Sequence, residues 1–149
     1  SGHTCSPWDM FLYAREVSGY TPTKKIGAIG WGDMKTVMRK CGFDAELYTK
    51  PQDYETFRDQ VRSAKSVVVL VRKKTGGHYV NISLYKEDTD EVFLADPADP
   101  DGNRNYIPLR YVYDALKTVS KYQYLLVNGY SEEQNQWKQD GIDEAWVAP

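Results

Sequence analysis

Three side chains in this sequence could together run acyl-transfer chemistry: the thiol of Cys5, the imidazole of His78 and the carboxylate of Asp96. A thiolate is a far better nucleophile than a thiol, so such a cysteine needs a base or a local field that lowers its pKa. Cys5 stands at the start of an expected helix. Unpaired backbone N–H groups and the helix dipole favour an anion there, and the same groups could hold a developing oxyanion. His78, one of two histidines, directly follows Gly76-Gly77 and opens a strand face that continues with Val80, Ile82 and Leu84. An imidazole works as a base when a third group fixes its tautomer and steadies its charged form. Nucleophile, base and orienting carboxylate are the general parts of covalent catalysis. Each residue also has a purely structural reading. A cysteine near a helix start is often a small buried hydrophobe, a histidine ending an apolar face is often a core residue, and an Asp before Pro often caps a turn.

What joins two of the three is a count along a hairpin. His78 to Tyr85 alternates, with His78, Val80, Ile82 and Leu84 on one face and Tyr79, Asn81, Ser83 and Tyr85 on the other. Val92, Leu94 and Asp96 share one face of the next strand, and Glu87 to Asp90 is polar turn material. With the turn centred on Asp88 and Thr89, the numbers of opposed residues add to about 176 or 177. Residue 96 then lies opposite 80 or 81. The even sum puts Asp96 on the face of His78, as its diagonal neighbour. Asp99 and Asp101 are rival carboxylates in the loop that follows.

The surrounding elements must position these groups. Residues 4–18 read as a helix, with Thr4 or Ser6 as N-cap, Pro7 in the first turn and Gly19 as its stop. A loop follows to Trp31. A second helix is expected from about Asp33, with Met34, Val37, Met38 and Cys41 on one face and Gly42 closing it. Phe43 to Tyr48 reads as a short strand. Asp53 caps a third helix whose Tyr54, Phe57, Val61 and Ala64 share a face. Val67 to Val71 is an unbroken β-branched and aliphatic run, expected of a strand covered on both faces. Thr75-Gly76-Gly77 reads as a turn. Leu109, Val112, Leu116 and Val119 indicate a fourth helix, and Tyr122 to Val127 a last strand. Helices first and an antiparallel sheet second is α+β architecture. Residues 1–130 are expected to form one domain, with 131–149 a C-terminal tail that Trp137 and Trp146 could dock.

Composition narrows the field further. The 149 residues are 41% hydrophobic and 27% charged, with twelve Tyr and four Trp, which suits a folded globular chain rather than a disordered one. A net charge of −2 argues against a general nucleic-acid binder, which needs a basic surface. Two cysteines are too few for a disulfide framework, although a Cys5–Cys41 bridge leaves the compartment open between cytoplasm and exterior. Cys41 reads as a core residue. No apolar stretch is long enough to span a bilayer. Neither a structural zinc spacing nor a phosphate-binding loop is present, so no metal and no cofactor is expected.

Several segments together resemble the bacteriocin-processing (double-glycine leader) peptidases, members of the papain-like cysteine peptidase superfamily. Cys5-Ser6-Pro7-Trp8-Asp9-Met10-Phe11-Leu12 resembles their CGPAxLxM-type nucleophile motif. The stretch from Asp33 through Gly42-Phe43-Asp44-Ala45 is similar to their helix, glycine stop and strand. Val67–Val71, Gly76-Gly77-His78-Tyr79-Val80 and Val92-Phe93-Leu94-Ala95-Asp96-Pro97 resemble their core of strand, GGHYVV, strand and DP. The likeness runs from about Thr4 to Val127. It implies a papain-like fold and a catalytic triad with Cys5 as nucleophile, His78 as base and Asp96 as orienter. Ser6 departs from the family's Gly, and residues 1–4 hold no counterpart of the Gln that supplies an oxyanion donor in relatives. The first expectation is thus a thiol protease that cuts a peptide or protein substrate through a thioester, with no membrane span of its own, as one domain of a larger protein. A bacterial effector toxin that deamidates a protein glutamine is the alternative. A catalytically inactive peptide-binding module is the third reading.

Overall fold

The computed structural model describes residues 30–73, 76–96 and 106–136. The expected first helix with Cys5, the carboxylates Asp99 and Asp101, and Trp137 and Trp146 lie outside the described residues. In chain order the elements are α1 (Trp31–Lys40), β1 (Cys41–Tyr48), α2 (Tyr54–Ser63), β2 (Ser66–Lys73), β3 (Gly76–Lys86), β4 (Glu91–Ala95), β5 (Tyr106–Pro108), α3 (Leu109–Ala115) and β6 (Tyr124–Asn135). The strands form one six-stranded sheet in the order β1-β6-β2-β3-β4-β5. The β2–β3, β2–β6, β3–β4 and β4–β5 pairings are antiparallel. The fold is α+β, as expected. The chain divides into two compact units, residues 46–129 and residues 1–45 with 130–149.

The unit of residues 46–129 carries His78 and Asp96. Its first helix, α2, starts where a side chain can satisfy the open N–H groups of a helix end. Asp53 is the N-cap, and its Oδ1 accepts a hydrogen bond from the Thr56 backbone N–H at 2.7 Å. That bond holds the Asp53 carboxyl below the usual carboxylate range. The expected apolar face then buries Phe57 and Val61 against the sheet. Opposite them stands β2, flanked by β6 and β3. Val67, Val68 and Val69 are successive and all buried, which requires cover on both faces of the strand.

Local differences from the expectation have identifiable causes. Gly76 and Gly77 do not belong to a turn: they pair with Lys73 and Arg72 as the first residues of β3. A ladder needs only backbone groups, and here a close neighbour favours glycine. A Cβ on Gly77 would stand 3.2 Å from Cδ1 of Leu70. The fourth expected helix exists and buries Leu109, Val112 and Leu116. It then widens into a π turn over Leu116–Ser120. The wider turn shifts the next inward position by one residue, so Ser120 is buried instead of Val119. Two left-handed residues, Lys121 and Tyr122, follow the π turn, and the last strand starts at Tyr124 and runs on to Asn135. The short strand β5 was not foreseen. It pairs Tyr106 with Phe93 and Ile107 with Val92.

In the other unit, α1 starts at Trp31 and ends at Lys40, with Asp33 in its first turn and Arg39 and Lys40 in its last, matching the helix dipole. Val37 is its buried residue. Cys41, expected on the helix face, instead opens β1, where it is buried. Gly42 does not stop the helix but follows Cys41 in the strand, with a φ of +92° that glycine adopts easily. The Ser131 carbonyl oxygen would stand 2.5 Å from a Cβ at this position. Nearby, the Phe43 and Tyr130 rings pack at 5.2 Å, and Asn135 Nδ2 donates to the Tyr130 hydroxyl at 3.0 Å.

Candidate active site

His78 is the third residue of β3, in the segment that pairs with β2, and sits opposite Val71. Asp96 follows the last residue of β4. Both sums considered for the hairpin occur in it. Pairs next to the turn, such as Lys86 with Glu91 and Leu84 with Phe93, add to 177, whereas Ile82 with Leu94 and Asn81 with Ala95 add to 176. At the His78 end the even sum holds, and the two side chains meet. His78 Nε2 lies 2.6 Å from Asp96 Oδ1. The side chains are 25% and 18% exposed, so the pair is largely screened from bulk water.

The geometry fixes what the ring can do. A carboxylate oxygen only accepts, so Nε2 carries the proton and donates it to Asp96. The lone pair of the neutral imidazole is thereby left on Nδ1, the atom available to take a proton from another group. If the ring becomes charged, the carboxylate steadies it through a charge-assisted bond. The structure therefore brings together two of the three expected site residues. The third, Cys5, lies outside the described residues, as do the rivals Asp99 and Asp101.

Sequence reading assigned no role to Asp90, which organises the other end of the hairpin. Its carboxylate accepts hydrogen bonds from the hydroxyls of Tyr54 on α2 and Tyr85 on β3, the latter at 2.7 Å. Its carbonyl accepts from the Leu109 backbone N–H at 3.0 Å, at the start of α3. The hairpin is thus tied to both helices of its unit. Burial first, and then the bond to Asp90, pushes both tyrosine pKa values up. The only sequence signal was polar residues at a turn, which does not reveal tyrosines reaching in from other elements. Among the described residues, no three His, Cys, Asp or Glu side chains cluster so as to hold a metal ion. No helix among them is long and apolar enough to cross a membrane.

Helices packed with an antiparallel sheet in one α+β chain agree with a papain-like fold. Residues 16–132 match the Peptidase_C39 like family, and the chain belongs to that family. The match covers His78 and Asp96 and begins after Cys5. Among solved structures, the chain is similar to the N-terminal peptidase C39 like domain of the toxin secretion ATP-binding protein from Vibrio parahaemolyticus. The two share 15% sequence identity, with 85% of this chain and 98% of that chain covered and a TM-score of 0.43. No curated protein matches the chain significantly.

Proposed function

We propose that this chain is a cysteine peptidase-like hydrolase domain that acts on a peptide or protein, with His78 as base, Asp96 as its orienting group and Cys5 as nucleophile. The observation that carries the reading is the 2.6 Å bond from His78 Nε2 to Asp96 Oδ1, in a chain of the Peptidase_C39 like family. In this reading Nδ1 takes the proton of the Cys5 thiol, and the thiolate attacks the scissile carbonyl. His78 returns the proton to the departing amine as the C–N bond breaks and a thioester forms. Water, deprotonated by the same ring, then releases the acyl group and regenerates the thiol. Asp96 stays ionised throughout and stabilises the imidazolium.

The test is alkylation with iodoacetamide across a pH series, with the adduct located by mass spectrometry and His78→Ala run alongside. Rapid labelling of Cys5 well below the ordinary thiol pKa of about 8.5, slowed in His78→Ala, supports the pair. Ordinary thiol behaviour at Cys5, unchanged in the variant, rejects it. A peptide-binding module of the same family is the second reading. It would show peptide binding without an acylated cysteine. With a reactive Cys5, a glutamine turned to glutamate in an uncut partner would redirect the chemistry to deamidation.

A further inference from the structure

We propose that the residue count of the β3–β4 hairpin positions this site: the β-bulge at Ser83 takes up the one surplus residue of β3, and Asp96 thereby falls on the face of the sheet that carries His78. This rests on the reading of His78 and Asp96 as base and orienter. The pairing shifts register between Ile82 and Leu84, so Ser83 has no partner of its own on β4. The side chains record the shift. On β4, Val92 and Leu94 both face the core and are two residues apart, as a regular strand requires. Their partners on β3, Tyr85 and Ile82, both pack with the core and yet are three apart. The surplus is absorbed by Ser83 and Leu84, which both turn to solvent, Leu84 with 57% of its surface exposed. Simple alternation would have put Leu84 inside and Tyr85 outside. Ser83 Oγ lies 3.5 Å from the Phe93 carbonyl oxygen across the bulge.

The consequence falls at the other end of the hairpin. If the register set at Lys86 and Glu91 ran on unbroken, Asp96 would oppose Asn81. A shift of one residue sends a side chain to the other face, and Asp96 would then stand on the opposite face from His78. Beyond the bulge the register instead passes through Asn81 and Ala95. One further step puts Asp96 opposite Val80, diagonal to His78, where the hydrogen bond forms. Bulges are over-represented beside active sites, where they re-aim side chains. Here the re-aimed side chain is five residues beyond Glu91, where the first register starts.

Two variants test the count, each in a His3→Gln background so that His78 is the single histidine. The readouts are the downfield proton resonance of an imidazole N–H shared with a carboxylate, interstrand backbone NOEs, and thermal unfolding. Inserting a glycine between Leu94 and Ala95 leaves the core pairs of β4 in place but moves Asp96 by one residue. The expected result is loss of the His78 resonance with a melting temperature close to that of the unmodified chain. Deleting Ser83 makes Ile82–Leu94 and Leu84–Phe93 consecutive pairs without altering either register, and the resonance is expected to persist. A retained resonance in the insertion variant overturns the proposal. So does its loss in a folded deletion variant, which would mean that the kink, not the residue count, aims Asp96. None of these signals requires a reaction at Cys5, so an unreactive Cys5 leaves the register test intact. An unmodified hairpin with the expected NOEs but no shared proton overturns the reading of the pair, and the positioning role with it.

Discussion

Replacing Asp96 separates orientation from charge at the candidate site. The His78–Asp96 bond is short and mostly withdrawn from water. Hydrogen bonds to charged groups contribute about 1.5–3 kcal/mol net. At about 1.4 kcal/mol per tenfold in rate, Asp96→Ala should slow a reaction that needs the oriented imidazole by about 10- to 150-fold. Asp96→Asn keeps a carbonyl oxygen that can accept from Nε2 and loses only the charge, so its loss should be clearly smaller than that of the alanine variant. The assay is the second-order rate of Cys5 alkylation by iodoacetamide near neutral pH, with peptide hydrolysis as a second rate once a substrate is found. Thermal unfolding serves as the control, because Asp96 lies past the end of β4 and outside the core cluster. Equal rates for the alanine variant and the unmodified chain would refute the argument. So would equal losses for Ala and Asn, since charge and orientation would then not separate.

Three further outcomes follow from the packing. Phe57 is fully buried and meets the Tyr124 ring edge-to-face at 5.0 Å; Phe57→Ala should cost about 3–5 kcal/mol, or about 6–20 °C in a melting experiment on a chain of this size, and a shift of only a degree or two would contradict the placement. Tyr54 has its pKa raised by burial and by the bond to Asp90. An acid whose pKa is higher folded than unfolded contributes stability that is fully present below its unfolded pKa, about 10 for tyrosine, and is lost as pH rises through the folded value. Tyr54→Phe should therefore be less stable than the unmodified chain at neutral pH, with the gap closing in strong alkali; denaturant midpoints at several pH values measure it, and a gap that widens with pH would oppose the reasoning. Gly42→Ala imposes a left-handed conformation on a residue with a Cβ, worth about 1–2 kcal/mol, and sets that atom against the Ser131 carbonyl. The unfolding free energy from denaturant titration should fall by at least that amount, and an unchanged value would show that β1 does not take this path.

Much of this molecule is legible in patterns that need only neighbours along the chain. The Asp53 cap with its helix, the β-branched run of β2 and the polar turn from Glu87 to Asp90 all follow from local periodicity and capping chemistry. So does the closeness of His78 and Asp96, because a hairpin converts a count of residues into a distance. Less legible were the points at which two distant demands compete. Alternation placed Leu84 inside, but Tyr85 reaches Asp90 and the core, so the strand bulges and turns Leu84 out. Helical spacing pointed to Val119, but the π turn brings Ser120 inward, where its hydroxyl donates to the Gln123 carbonyl at 2.8 Å.

The sequence by itself determined the α+β class, most of the elements and the pair of side chains at the end of the hairpin, because each depends on interactions within one element or between strands joined by a short turn. Only the tertiary structure decided that β6 lies between β1 and β2, that Tyr54 closes on Asp90, and that the surplus residue of β3 falls at Ser83. Those outcomes depend on which apolar surfaces meet across long stretches of chain. That is a balance of burial against regular pairing which no local pattern contains.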